Sequence, residues 1–450
     1  MTEKNTQLKR ELGLIDVWGL ALGAIIGWGC FVLPGTSFLP KAGPLGTAFG
    51  LALGAGIIML ISLSYGYLIR KYPVSGGEYI YVRQAFGNRH AFVCGWFIVL
   101  AYWSLIPLNA TAIAMIARFI FPGVIQVGKL YSVAGWDVYL GEIAVASAFI
   151  IIIGIINITG AKFAGRLQSM IAILLVASIV IVTVGVSLTG PDFGNLKPEF
   201  SSSMSPLAGI FAVVAYAPYC FIGFDCIPQS AEEYKFSHRK SIVIMIVAIA
   251  IAALLYISVS IVTAVVEPWQ DMLAGEPLWA TGSMIEKALG KPGVFCIGIA
   301  MLCAVTSGIN AFYLSTSRLM YAMANEKALA GVFGELDKKH ATPKKAIFFC
   351  MILALIAPWF GRQVLVWITD MTAVGGAMAF CYTTAAAGVL AKRNGDKGQS
   401  ILGYVGCLAA SIFLILSFVP GMPGFLSVPS FICLFLWIGA GIVAYWKREK

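Results

Sequence analysis

Apolar runs long enough to cross a lipid bilayer recur along this chain from near its first residue to near its last. That recurrence constrains the fold more than any other feature. A hydrocarbon core of about 30 Å takes roughly 20 helical residues. Twelve runs approach or exceed that length: 14–38, 45–69, 91–117, 142–160, 167–189, 206–229, 241–265, 293–322, 345–361, 363–391, 401–419 and 427–446, the ninth being short. No hydrophilic stretch between them is long enough for a separate soluble domain. With 59% hydrophobic and 12% charged residues in 450, and a mean hydropathy of +0.87, a water-soluble fold would leave too much apolar surface exposed. The expectation is an all-α integral membrane protein with 12 transmembrane helices.

The charge pattern orients those spans. The net charge of +10 invites a polyanionic partner, but its distribution reports topology instead. With the N-terminus in the cytoplasm, 24 of the 31 lysines and arginines fall in the two tails and the inner loops. Only Lys41, Arg118, Lys129, Lys197, Lys287, Lys291 and Arg362 fall outside. This is the positive-inside asymmetry, and it predicts both termini in the cytoplasm of a multi-pass cell-membrane protein. No nucleic-acid partner is expected. The first apolar run is longer than a signal-peptide core, so no cleavable leader is expected. The ten cysteines lie in or beside apolar runs without C-x-x-C pairing, and read as small packing residues. The three histidines, His90, His238 and His340, scatter over loops, so neither a metal nor another cofactor is expected.

Two of the runs are interrupted. The first reads Gly23-Ala24-Ile25-Ile26-Gly27-Trp28-Gly29-Cys30 and on to Pro34-Gly35. The sixth carries Pro218, Gly223 and Pro228 around Asp225. Unwound backbone inside a bilayer is tolerated where it is buried in protein or lines a cavity, so paired interruptions point to a substrate site. Their matching positions suggest an inverted repeat of five plus five spans, 1–190 and 200–392, with 400–450 holding two added spans and a cytoplasmic tail. The ordinary alternative is glycine serving close helix packing.

Polar groups inside the spans are few, which makes each informative. Asp225 follows the sixth-span break, where it would serve either as a proton acceptor or anchor for the cavity, or as a helix cap in the first turn of the resumed helix. Asn109, Asn157, Thr306, Ser307 and Asn310 read as ties between helices. Phe221, Phe224 and Phe312 are aromatic candidates for gating, with plain packing as the alternative. Asp16, Glu232 and Glu233 at span ends read as exposed or locally paired, and Arg318 as an anchor to headgroups or to an acidic neighbour. No phosphate-binding loop, nucleophile elbow or H-E-x-x-H motif occurs. An enzyme is therefore not expected, and driving force must come from solute gradients or exchange.

Four stretches, in order and on the expected spans, carry a family likeness: Leu12 to Gly35; Tyr72-Pro73-Val74-Ser75-Gly76-Gly77-Glu78-Tyr79 with Tyr81-Val82-Arg83 and Ala85-Phe86-Gly87; Phe221 to Asp225 with Ala231-Glu232-Glu233; and Ser315 to Ala324 leading to Thr342-Pro343. Through them the chain resembles the amino acid–polyamine–organocation (APC) permeases of LeuT-type fold, from about Leu12 to Lys345. The resemblance implies that discontinuous helices 1 and 6 meet the substrate. N–H groups of Trp28, Gly29 and Cys30 would receive its carboxylate. Carbonyls of Ile25, Ile26, Tyr219 and Ile222 would receive its ammonium. Tyr219 and Phe312 would gate, beside Phe221, and Asp225 would handle a proton.

Two departures bear on cargo and coupling. Trp28 stands where relatives have Ser or Thr, which turns the reading from an α-amino acid toward a small amine. Counting seven residues from Gln168 gives Leu175, where several proton-coupled or exchanging relatives carry Lys. The implied function is a secondary transporter moving an amino acid by alternating access, as symporter or exchanger, with a proton or sodium ion as possible co-substrate and the lipid bilayer as its medium. An ethanolamine-like or putrescine-like amine or polyamine carrier is the alternative within the fold, and a channel the alternative outside it. Oligomeric state is not legible.

Overall fold

The computed structural model describes residues 8, 10–133, 136–361 and 363–448. In chain order it contains α1 (Leu14–Ile25), α2 (Gly29–Leu33), α3 (Leu39–Lys71), α4 (Gly77–Phe86), α5 (Asn88–Ile120), α6 (Leu140–Ile158) and α7 (Ala161–Leu188). There follow α8 (Pro206–Val214), α9 (Ala217–Phe221), α10 (Cys226–Gln229), α11 (Ser241–Val265), α12 (Trp269–Ala274), α13 (Ala280–Asn325), α14 (Lys344–Ala354), α15 (Gln363–Arg393), α16 (Lys397–Phe418) and α17 (Val428–Arg448). The fold is helical, with one departure from the all-α expectation. Between α5 and α6, β1 (Lys129–Val133) and β2 (Trp136–Tyr139) pair antiparallel as an exposed hairpin, tied by a Lys129–Asp137 ion pair of 2.8 Å.

Among the described residues, nine helical runs are long and apolar enough to cross a membrane. The expected first and second spans share one of them, Leu14–Lys71, which bends at Gly43, where a positive φ of 69° precedes Pro44. The expected sixth span has no single helix of that length, because it is divided among α8, α9 and α10. The expected ninth contains α14 and then a 3₁₀ turn, Ala357–Phe360, with Pro358 inside it. A proline lacks the amide donor that a longer α-helix requires there.

Burial ranks the spans. The most apolar window is 78% buried in α5, 72% in α13 and 67% in α15, but 17% in α17. The first three form the centre of the bundle, while α17 keeps most of its surface for lipid. Helix α13 packs on α5 and α7, α15 packs on α5 and α16, and α3 lies against α8 and α11. The broken segments are enclosed by these helices: α1 is buried from Gly19 to its end, and α2, α9 and α10 are buried along their length.

Candidate substrate and coupling site

At the first break α1 ends with Ile25, and Ile26 turns extended (ψ 93°). Ile26 N–H still reaches Leu22 O at 2.9 Å, closing the last turn. The side chain of Asn109 on α5 then substitutes for the missing helix. Its Oδ1 lies 3.5 Å from Trp28 N, and its Nδ2 donates to Leu105 O at 2.8 Å. Cys30 N–H folds back to Gly27 O at 3.3 Å and Phe31 N–H to Trp28 O at 3.0 Å. Of the three donors expected to face a carboxylate, Trp28 is thus directed at Asn109 and Cys30 at its own chain. Gly29 N–H makes no hydrogen bond among the described residues. This corrects the expectation of three equivalent donors.

At the second break α9 ends with Phe221, Ile222 is extended (ψ 135°), and Gly223 takes a φ of +128°. That left-handed backbone favours glycine, and the space demands it as well. A Cβ there would lie 2.6 Å from both Ala24 Cβ and Ile25 N. The two breaks therefore touch, backbone against backbone, at Gly223 and Ala24–Ile25. The carbonyls of Ile25, Ile26, Tyr219 and Ile222 accept no hydrogen bond among the described residues. Asp225 precedes α10, but it caps nothing ahead of it. Its Oδ1 accepts the Gly223 N–H behind it at 2.7 Å, and its buried Oδ2 makes no well-formed hydrogen bond among the described residues. The expected cap on the resumed helix is replaced by a clasp on the break itself.

The aromatic candidates divide. Tyr219 lies over Gly29, where an added Cβ would stand 2.8 Å from its ring, and meets the Trp28 indole edge-on with ring centres 6.5 Å apart. The indole is 7% exposed and its N–H has no hydrogen-bond partner among the described residues. Phe312 on α13 rests on Tyr102 of α5 at 5.8 Å. Phe221 turns to Tyr256 on α11 at 6.0 Å, and Phe224 to Tyr65 and Phe380 at 5.1 and 5.5 Å. Trp28, Gly29 and Tyr219 are brought together; Phe221 and Phe224 pack outward from that group.

The neutral polar residues do tie helices. Gln168 on α7 donates to Gly19 O of α1 at 3.1 Å and to Ser307 of α13, and its Oε1 accepts from Asn310 Nδ2 at 2.8 Å. Asn157 on α6 donates to Asn310 Oδ1 at 2.8 Å. Leu175, where a Lys was sought, is buried on α7. Arg318 meets an acidic neighbour, one of its two expected anchors, and Glu233 is the acid it meets. They form an ion pair 1% and 2% exposed, with Arg318 Nε 2.8 Å from Glu233 Oε1. The Glu233 carbonyl also accepts the N–H groups of Glu11 and Leu12 at 2.9 Å, which fastens the start of α1 to the same point. Removing one partner of such a buried pair costs about 3–5 kcal/mol. Asp16 is part of the same end, accepting from Gly13 N and Ser169 Oγ at 2.9 and 2.8 Å.

One functional group escaped the sequence reading. Glu78, in a stretch read as an inner loop, has no exposed surface. Gly76 and Gly77 hold positive φ of 93° and 37° just before it, which lets α4 start hard against Ala322 and Pro228. Gln229 Nε2 of α10 donates to Glu78 Oε2, and Tyr102 Oη lies 3.5 Å from Oε1. Burial, and next the Asp225 carboxylate, push the Glu78 carboxyl well above the usual range. The double glycine ahead of an acid was the available signal, since it marks close backbone approach rather than a free loop.

Residues 12–443 match the family model described as amino acid permease. The chain is similar to a methylthioribose transporter of Bacillus subtilis, 26% identical over 99% of this chain and 95% of the relative. It is similar to the branched-chain amino acid permease BcaP of the same organism, 26% identical over 98% and 90%. It is also similar to human cationic amino acid transporter 4, 27% identical over 86% of this chain and 60% of that protein.

Proposed function

The chain belongs to the amino acid permease family, and on that premise we propose that it carries an amino acid across the cell membrane by alternating access around the touching breaks. The proposed architecture has twelve spans with both termini cytoplasmic. The broken segments are the first spans of two inverted repeats, 1–190 and 200–392, and 400–450 follows them. One observation carries this reading. Two helices that fail inside the bundle meet at Gly223 and Ile25, and among the described residues the carbonyls of Ile25, Ile26, Tyr219 and Ile222 around that contact accept no hydrogen bond. Unsatisfied buried carbonyls are costly unless something cationic or a donor visits them. An ammonium group supplies three donors to such oxygens, and Gly29 N–H is the donor for the carboxylate.

In this reading Tyr219 and Trp28 are the barrier over the site. Tyr219 must leave Gly29 before a carboxylate reaches the amide, because its ring occupies that approach. The Arg318–Glu233 pair, which joins the loop after α10 to the end of α13 and the start of α1, is the lock on one side of the bundle.

The test is counterflow in proteoliposomes holding the purified chain. A radiolabelled amino acid mixture is offered outside against unlabelled mixture inside. Accumulation is expected, and methyl esters of the same amino acids should compete at least about tenfold more weakly, a loss of about 1.4 kcal/mol for the missing carboxylate contact. Equal competition by the esters would remove Gly29 from substrate recognition, and absence of counterflow would remove the carrier.

A further inference from the structure

The bundle contains two acids at one place with no base to balance them. Glu78 on α4 and Asp225 at the second break have no exposed surface, and neither forms an ion pair among the described residues. The hydroxyl of Tyr102 stands against both. The other titratable groups facing the pair are Tyr65 on α3, Cys94 on α5, Tyr81 on α4 and Cys226 on α10, none of which brings a positive charge. The basic residues of the surrounding elements are engaged elsewhere or, like Lys71 and Arg89, exposed. Arg318 holds Glu233, Arg83 holds Glu326, and Arg393 donates to the carbonyls of Gln84 and Ala85. Two further observations point into the same space: Asp225 Oδ2 and Gln229 Oε1 are buried, and among the described residues neither makes a well-formed hydrogen bond.

We infer that Glu78 and Asp225 form one proton-binding site, and that the proton held there is the co-transported ion. Two neighbouring carboxylates sealed from water cannot both stay ionised, because each ion loses hydration and repels the other. Binding a proton converts one carboxylate to a carboxylic acid and lowers the charge of the pair by one; no other bond changes. Gln229 transmits that state to the broken segment. Its amide presents N–H to an ionised Glu78 and, turned over, presents Oε1 to accept the O–H of a protonated one. Because Gln229 belongs to α10, the proton is read by the helix piece that resumes after the substrate break. Loss of the proton leaves two charges that only water can stabilise, so release is confined to a conformation in which the bundle has opened. The Lys absent at Leu175 is then not needed, since the charge that changes during the cycle sits on this pair.

This inference rests on the carrier reading, and its test separates the two. In the same proteoliposomes, counterflow without a pH gradient reports the carrier. Net uptake with the lumen one pH unit more alkaline reports coupling. For one proton per substrate that gradient raises accumulation about tenfold. Wild-type protein is expected to show that gain. Glu78→Gln is expected to keep counterflow and lose the gain. An equal gain in this variant, or a gain in wild type from a sodium gradient and none from pH, would overturn the proposal. A second measurement does not depend on transport or on the variant folding. The infrared carbonyl band of a protonated carboxyl is followed in purified wild-type chain through a pH titration from mildly acidic to neutral. Persistence of a buried-acid band at neutral pH is expected, and its absence overturns the site.

Discussion

The two helix breaks lie against each other and yet are held open by different chemistry. The first is closed by a neutral amide from another helix, Asn109 at 3.5 Å from Trp28 N, with no carboxylate in its own turn. The second is closed by its own acid, Asp225 accepting Gly223 N–H at 2.7 Å. An amide cap works identically at every pH, whereas a carboxylate clasp weakens when protonated. In the proposed cycle, the first break recognises the substrate backbone and the second responds to the coupling ion.

The largest effect is expected where the breaks meet. Gly223→Ala adds a Cβ 2.6 Å from Ile25 N in a left-handed backbone. The conformational cost alone is about 1–2 kcal/mol, before the collision. No counterflow should remain, and normal activity would show that the breaks do not need this contact. Gly29→Val comes next. Its side chain would run into Tyr219 and Leu33, an overpacking of about 1–3 kcal/mol, and would block the free amide. Substrate affinity measured by counterflow should fall at least about tenfold while the protein still reaches the membrane. Wild-type affinity would take the first break out of recognition.

The smallest effect concerns stability against pH, and it probes the acidic half of the comparison. Glu78 is held above the ordinary carboxyl range by burial and by Asp225, so the folded chain binds this proton more tightly than the unfolded chain does. Its contribution to stability is full below the ordinary glutamate pKa and is lost as pH rises through the raised value. The melting temperature of the detergent-purified protein should therefore fall over that rise, by roughly 1 °C for each kcal/mol lost in a chain of 450 residues. Glu78→Gln should flatten the slope. An unchanged slope in the variant would assign it to other groups.

How far the sequence reaches is seen in particular residues. The seventh expected run, 241–265, coincides with α11, because a long unbroken apolar segment has one way to satisfy its amides in lipid. The breaks were legible from glycine and proline, which act on their own backbone wherever they stand. What each break would touch was not. Asn109 read as one tie among several, and nothing near it in the chain says that its amide reaches Trp28. Glu232 and Glu233 are adjacent and read alike, yet Glu232 accepts Ser75 N–H while Glu233 is sealed against Arg318. Glu78 read as a loop acid because its neighbours include Arg70, Lys71 and Arg83.

The amino-acid order by itself determined that this chain is a multi-pass membrane protein, and at which residues two of its apolar runs fail, since hydrophobic length and missing backbone donors are local properties. Only the tertiary structure decided which acids lose their water and which keep a base. Whether a charge is tolerable depends on every group that surrounds it, and for Glu78 and Asp225 those groups come from α3, α5 and α10, segments far apart along the chain.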